Sequence, residues 1–191
     1  LKCYSRDLQL ELSNIIPLLE NMGCTVIDAT PFIITPLAPL PSVLLRDFTL
    51  RVPAAATLDI DSTKARIEDA IERIWRGMVD NDTLNALVLS AGLTARDVGI
   101  LRAYSRYLQQ LNFPYSQPFI ATALSAHADI ASQLVQLFHT RFNPSLKSRD
   151  TKYTELKTAI EAALEAVTNL AEDRVTRRLL ALIEASLRTN F

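Results

Sequence analysis

Glycine is scarce in this sequence of 191 residues, which contains only Gly23, Gly77, Gly92 and Gly99. Loops that cradle phosphate groups need clustered glycines, because the backbone must approach the ligand closely. No two of the four glycines lie near enough to form a GxGxxG motif or a P-loop. We therefore expect no dinucleotide site of the usual kind, and no bound cofactor, in these residues.

Cysteine and histidine are also rare, with two of each. Cys3 and Cys24 are too few for a disulfide scaffold or a metal cluster; their apolar contexts favour reduced thiols, and a disulfide between them is the alternative. His127 and His139 are predicted near helix ends, and Asp129 is not spaced to share a helix face with His127. No nucleophile sits in a glycine-rich elbow, which argues against a hydrolase. We assign no catalytic, cofactor-binding or metal-binding residue to this chain.

Charge of one sign and long apolar runs are absent as well. The formal net charge of -1 gives no electrostatic argument for nucleic acid or an anionic membrane. No apolar run approaches the roughly 20 residues needed to span a bilayer. With 49% hydrophobic and 21% charged residues, the chain has the composition of a soluble globular protein, and we expect it in the cytoplasm. It begins with Leu1 and no signal peptide follows, so we interpret it as an internal segment.

Residues 1–54 alternate strand and helix patterns. The predicted elements are, in chain order, strand 1–4, helix 13–22, strand 24–34 and strand 43–52. Ser13 is the predicted N-cap of the helix, Pro17 lies near the end of its first turn, and Gly23 occupies the left-handed C-cap. This order is half of a ferredoxin-like or ACT-like unit. A fourth strand and a second helix are not visible, so the unit is either truncated or completed by chain outside this segment.

Residues 55–191 carry helical patterns throughout. The predicted helices include 94–111, opened by a Thr94-x-x-Asp97 capping box, a shorter one capped by Ser116, and another over 129–142. Two longer helices, with an expected join at 170–173, are predicted to form an antiparallel hairpin at the end of the chain. The fold class is therefore α+β: a partial ACT-like or ferredoxin-like unit (1–54) followed by a mostly α-helical, bundle-like domain (55–191).

Two groups of side chains could bind a ligand. One is an aromatic group that spans a predicted helix–loop–helix: Tyr104, Tyr107, Phe113, Tyr115 and Phe119. We expect these aromatic side chains to pack the turn rather than to form the wall of a pocket or a surface for a partner. The other is a group of arginines on faces away from the inward stripe of helix 94–111: Arg96, Arg102 and Arg106. A solvated or inter-domain ion-pair surface is favoured for these over a carboxylate clamp.

Several stretches of the chain resemble one family of enzymes. They are Leu18–Gly23, Ile74–Gly77, Ala91–Leu93, Leu101–Tyr104, Phe113–Gln117, Arg141–Pro144, Glu172–Arg174 and Leu187–Asn190. In combination they resemble the large bacterial NAD-dependent glutamate dehydrogenases. The resemblance implies oxidative deamination of L-glutamate to 2-oxoglutarate and ammonia, with NAD as the hydride acceptor of the full-length protein. It also implies that the catalytic lysines and the NAD-binding domain lie beyond this segment, because no position here matches them.

The resemblance implies that this chain is a structural or regulatory junction between N-terminal ACT-like modules and the catalytic region of a homo-oligomer. An amino-acid-sensing module is one alternative. ACT modules hold effectors in the loop that corresponds to residues 6–9, but this chain has Asp7 without an adjacent glycine, which weakens that reading. A helical protein-interaction module is the other alternative.

Overall fold

The structure is a computed structural model that describes residues 1–6, 10–37, 39–52, 60–147 and 149–189. The strands are β1 (Lys2–Ser5), β2 (Thr25–Ile34) and β3 (Val43–Arg51). The helices of the first half are α1 (Leu12–Asn21), α2 (Ile60–Trp75), a 3-10 turn (Thr83–Ala86) and α3 (Leu87–Ser90). The remaining helices are α4 (Ala95–Gln110), α5 (Gln117–Ala126), α6 (Ala128–Phe142), α7 (Arg149–Leu164) and α8 (Leu170–Ala185). The predicted α+β class, strands first and helices after, is confirmed.

The strands form one antiparallel sheet in the order β1-β3-β2. Because β3 pairs antiparallel with both neighbours, β1 and β2 run parallel and are joined through α1, which is a split βαβ arrangement. α2 follows β3 and lies beside α1 and β1, where its residues Ile71 and Trp75 line cavities with them. The sequence pattern assigned α2 to the helical part, but it takes the position of the second helix of such a unit.

The first helix ends as predicted but begins differently. Gly23 has a φ of 83°, and Cys24 donates to the carbonyl of Leu19 at 3.1 Å, which is the hydrogen bond of a glycine C-cap. The prediction of Ser13 as N-cap is wrong, because the helix begins at Leu12 after Glu11. Pro17 consequently lies inside the helix rather than in its first turn.

The last two helices are separated earlier than expected. α7 ends at Leu164 and α8 begins at Leu170, where Asn169 accepts hydrogen bonds from the backbone N–H groups of Ala171 and Glu172. The predicted join at 170–173 is therefore wrong, because the Asn169 cap starts the helix before those residues. α7 also packs more extensively on α6 than on α8, so the two do not form an isolated hairpin.

One hydrophobic core runs from the sheet into the helices. Its largest fully buried side chains include Phe48 on β3, Leu18 on α1, Leu84 in the 3-10 turn and Leu134 on α6. None of the helices in the described ranges is long and apolar enough to cross a membrane.

Candidate functional site

The turn between α2 and the 3-10 turn is set by a glycine. Gly77 has a φ of 67°, and Met78 donates to the carbonyl of Arg73 at 2.9 Å, closing α2 with the same type of glycine cap that ends α1. This cap reverses the chain so that the three residues Asp80, Asn81 and Asp82 arrive beside α4. The Ile74–Gly77 stretch that carries part of the family resemblance is thus a helix terminator.

A buried arginine of α4 is the centre of the polar contacts at this turn. Arg102 donates from Nε to Asp82 Oδ2 at 2.7 Å and from Nη2 to Asp82 Oδ1 at 3.0 Å. Nη2 also donates to Asn85 Oδ1 at 2.7 Å. The Arg102 side chain is only 5% exposed and that of Asp82 22%, so the pair is a two-pronged ion pair largely withdrawn from water.

The groups around this ion pair have partners of their own. Asn85 Nδ2 donates to the carbonyl of Asp80 at 3.0 Å, and Gln117 Nε2, at the start of α5, donates to Asp82 Oδ2 at 3.1 Å. Asp82 also caps the 3-10 turn by accepting from the backbone N–H of Leu84 at 3.1 Å. We call Asp80, Asp82, Asn85, Arg102 and Gln117 the junction network. It ties the turn after α2, the 3-10 turn, α4 and α5 into one unit.

The same turn also binds to the sheet-containing part of the chain. Asn21, the last residue of α1, donates from Nδ2 to Asn81 Oδ1 at 3.0 Å and lies 3.3 Å from the Asn81 carbonyl. Leu18 and Leu19 of α1 and Leu84 of the 3-10 turn belong to the common core. The junction network therefore lies where the sheet unit meets the helices.

Sequence reasoning placed Arg102 on a non-inward face, and this was wrong. Arg102 follows Val98 by one helical turn, and Val98 is fully buried, so the two share a face. The spacing of Val98 and Arg102 could have indicated that Arg102 is buried. It could not have identified Asp82 and Asn85 as its partners, because they lie far away in sequence. Arg106 agrees with the prediction, since its exposed guanidinium pairs with Asp80 at 2.8 Å.

Both histidines lie in hydrogen-bonded pairs that join helices. His139 Nε2 on α6 lies 2.7 Å from Asp97 Oδ1 on α4, and His127 Nε2, between α5 and α6, lies 2.8 Å from Glu172 Oε2 on α8. Burial raises the pKa of Asp97, but hydrogen bonds to His139 and Thr94 outweigh burial and leave that pKa below its ordinary value. The predicted positions near helix ends hold for both, since His127 lies between α5 and α6 and His139 lies in the last turn of α6. The sequence did not reveal either carboxylate partner.

The aromatic group divides between two places. Phe113, Tyr115 and Phe119 pack against one another around the turn between α4 and α5, as the packing interpretation predicted. Phe113 meets Tyr115 edge to face with ring centroids 5.3 Å apart, and Tyr115 stacks on Phe119 at 5.0 Å. Tyr104 and Tyr107 instead line an open groove of about 590 Å³ between α4 and α8. There the hydroxyl of Tyr104 lies 2.7 Å from that of Ser186.

The remaining candidate groups are the two cysteines, the possible metal ligands and the loop compared with ACT effector sites. Cys3 and Cys24 are free thiols, and burial raises the pKa of each. Within the described ranges, no three histidine, cysteine or acidic side chains are grouped so that they could hold a metal ion. Residues 7–9, the loop compared with ACT effector sites, lie outside the described residues.

Comparison with protein families bears on both parts of the fold. Residues 1–63 match the model of the glutamate dehydrogenase ACT3 domain, and residues 79–144 match that of glutamate dehydrogenase helical motif 3. Both models describe parts of glutamate dehydrogenases. The junction network lies within the second match.

The chain is also similar to individual glutamate dehydrogenases from three bacteria. The chain is 41% identical over 194 residues to the NAD-specific glutamate dehydrogenase of Pseudomonas aeruginosa and 37% identical over 191 residues to that of Halomonas elongata, with 100% of the chain covered in both. It is 37% identical over 189 residues, 94% of the chain, to the enzyme of that name from Mycobacterium tuberculosis. The chain spans only 12% of the length of each relative. It belongs, as a segment, to the NAD-specific glutamate dehydrogenase family.

Proposed function

We propose that this chain is a structural and regulatory segment of an NAD-dependent glutamate dehydrogenase and is non-catalytic by itself. The whole enzyme would convert L-glutamate, NAD and water to 2-oxoglutarate, ammonia and NADH in the cytoplasm. The names of the relatives and the matched ACT3 and helical motif 3 models support this proposal. The catalytic and NAD-binding residues would lie in other parts of the longer polypeptide, which acts as a homo-oligomer.

The junction network is the observation that carries the role of this segment. We propose a division into an ACT-like unit, residues 1–54, and a helical domain, residues 55–191, whose first helix, α2, lies beside β1 of the ACT-like unit. A two-pronged, buried ion pair has one favoured geometry, and the Asn21–Asn81 bond adds a contact from the sheet unit. The network lies within the helical domain, where it fixes the turn that carries Asn81, and the Asn21–Asn81 bond ties α1 of the ACT-like unit to that turn. A displacement of one unit is then transmitted to the other. A segment of this kind can position or couple the regions on either side of it.

The reaction is tested by comparing the longer protein with the isolated 191 residues. We expect glutamate-dependent NADH formation, followed at its absorbance, from the longer protein and none from the 191 residues. Glutamate oxidation or tight NAD binding by the 191 residues would contradict the assignment of no site residues. Absence of activity in the longer protein would contradict the proposed reaction itself.

A thermal-shift series separates the proposed role from its two alternatives. We expect the melting temperature of the 191 residues to stay constant with NAD, glutamate or other amino acids. Stabilisation by one amino acid alone would favour an amino-acid-sensing module. A constant melting temperature together with a concentration-dependent dimer in sedimentation would favour a helical interaction module.

The coupling role has its own test in the longer protein. Arg102→Met should loosen the turn that carries Asn81, so that the backbone amides of residues 80–85 exchange with solvent more rapidly in the longer protein. Arg106→Met, which alters an exposed guanidinium on the same helix, is the matched control. Equal exchange rates in the two variants would remove the support for a rigid junction.

A further inference from the structure

One edge of β1 carries backbone groups that face away from the sheet. Leu1 and Phe48 exchange both backbone hydrogen bonds, at 2.9 and 2.7 Å, so Leu1 and, by alternation along the antiparallel pair, Cys3 and Ser5 face β3. The N–H and C=O groups of Lys2 and Tyr4 therefore point to the opposite edge. No strand within the described ranges pairs with that edge.

The order of strands and helices in this unit also predicts a further strand at the open edge of β1. β1, α1 and β2 form one split βαβ arrangement, and β3 followed by α2 is the beginning of a second. A strand completing the second arrangement would run parallel to β3 and thus antiparallel to β1, alongside it. The chain after α2 goes elsewhere, because the Gly77 cap sends it into the junction network and the 3-10 turn.

A groove lies at the position of the missing strand. Its volume is about 340 Å³, and it is lined by β1, by Leu10 and Ile15 near the start of α1, and by one face of α2. Trp75 on α2 is 51% exposed, and Tyr4 on β1 is 65% exposed. The groove thus offers hydrogen-bonding backbone on one wall, and on the other Ile71 and Trp75 together with the carboxylates of Glu68 and Glu72.

We propose that this groove receives one extended strand from another part of the same, longer polypeptide, which adds antiparallel to β1. The proposal rests on the proposed function only in that these residues are a segment of a longer protein. Backbone hydrogen bonds to Lys2 and Tyr4 would hold the strand, and alternate apolar side chains would cover Ile71 and Trp75. Edge strands are normally covered or blocked in this way, since an open edge invites aggregation.

The helix beside the groove argues against a second copy of the chain as the occupant. In a continuous antiparallel sheet made from two copies of β1, the twofold axis is perpendicular to the sheet, so both copies of α2 would lie on the same face. Each α2 reaches the outer edge of its own β1, as the lining of the groove by Ile71 and Trp75 indicates. The two helices would then compete for the same space, whereas a single strand without an attached helix would not.

Hydrogen exchange measures whether the edge is occupied. Peptides covering residues 1–6 are followed by mass spectrometry in the longer protein and in the 191-residue chain. We expect the outward amides of Lys2 and Tyr4 to exchange at least about tenfold more slowly in the longer protein. Equal rates would overturn the proposal. Protection in the 191-residue chain that rises with its concentration would indicate a second copy and would overturn the proposed source.

A pair of variants at one position separates strand addition from loss of a side chain. Tyr4→Pro removes an outward N–H that β3 does not use, so in the longer protein it should abolish the slow exchange at Lys2. Tyr4→Ala keeps the N–H and should retain slow exchange. The inward amides of Cys3 and Ser5 report whether the pairing with β3 survives; if they remain protected in both variants and the two behave alike, the proposal is wrong. Glutamate dehydrogenase activity, measured in parallel, distinguishes its failure from failure of the proposed reaction.

Discussion

We expect the junction network to contribute measurably to the free energy of unfolding, because the side chain of its arginine, Arg102, is buried. Replacing Arg102 with methionine removes the partner of Asp82 and the third bond to Asn85, while keeping an unbranched side chain of similar length. Removing one member of a buried ion pair typically costs about 3–5 kcal/mol. Asp82 is still 22% exposed and keeps its bonds from Leu84 and Gln117. We therefore expect the lower end, about 3 kcal/mol of unfolding free energy.

Replacing the acidic partner, Asp82, should lower the free energy of unfolding by more than replacing Arg102. In Asp82→Asn the charge of Arg102, whose side chain is 5% exposed, loses its two-pronged partner and keeps the Asp80 carboxylate, which lies 4.0 Å from Nε. We expect about 4 kcal/mol for this variant. Arg106→Met, at an ion pair in which both side chains are about half exposed, should change stability by less than about 1 kcal/mol.

Urea denaturation followed by circular dichroism measures these three differences, and thermal melting provides a second reading. For a chain of this size each kcal/mol lowers the melting temperature by roughly 2–4 °C, so Arg102→Met should melt roughly 6–12 °C lower. A double-mutant cycle between positions 82 and 102 should show that the two losses are not additive. If Arg102→Met costs no more than Arg106→Met, the pair does not stabilise the junction and the argument for a rigid connection fails.

Three further predictions concern single positions. The pKa of Asp97 is lowered in the folded protein, so its contribution to stability is present above the ordinary aspartate value and is lost as pH falls through the folded pKa; urea titrations from pH 7 to about 3 should show a flatter pH dependence for Asp97→Asn, and equal slopes would refute this. Gly77→Ala should cost about 1 kcal/mol through its φ of 67° alone, since nothing lies within 4 Å of the added Cβ, whereas Gly99→Ala, inside a helix with the same free space, should stabilise by roughly 0.5–1 kcal/mol; the same sign for both would contradict the backbone argument. Leu179→Ala, at a fully buried position, should cost about 2–5 kcal/mol in urea denaturation, against almost nothing for Leu187→Ala, which is 88% exposed.

Local patterns in the sequence predicted most elements and several of their ends. The Thr94 capping box, with a hydrogen bond of 3.2 Å from the Asp97 N–H to Thr94 Oγ1, and the Ser116 cap of α5 are present as predicted. These signals act within one turn of helix, so the residues that matter are neighbours in sequence. The start of α8 was misread, because the prediction placed a join at 170–173. The side chain of Asn169 caps the helix, which therefore begins at Leu170.

Burial was predicted less well at the borders of apolar stripes. Helical periodicity places Leu111 with the inward residues of α4 and Trp75 with the apolar residues of α2, yet these two side chains are 47% and 51% exposed. Helical periodicity says which residues share a face, but it does not say where the neighbouring element stops. Leu111 lies past the end of its helix, and Trp75 borders the open groove beside β1.

The sequence by itself determined the class of the fold, the order of its strands and helices, several of their glycine and side-chain caps, and the family resemblance, because each depends on contacts or patterns close along the chain. It also predicted that no glycine-rich phosphate loop would be found. Only the tertiary structure decided that Arg102 is buried against Asp82, that the two histidines meet Asp97 and Glu172, and that one edge of β1 opens into a groove under α2. Those features join residues distant in sequence, and their energies depend on how much water packing has removed, which no local pattern records.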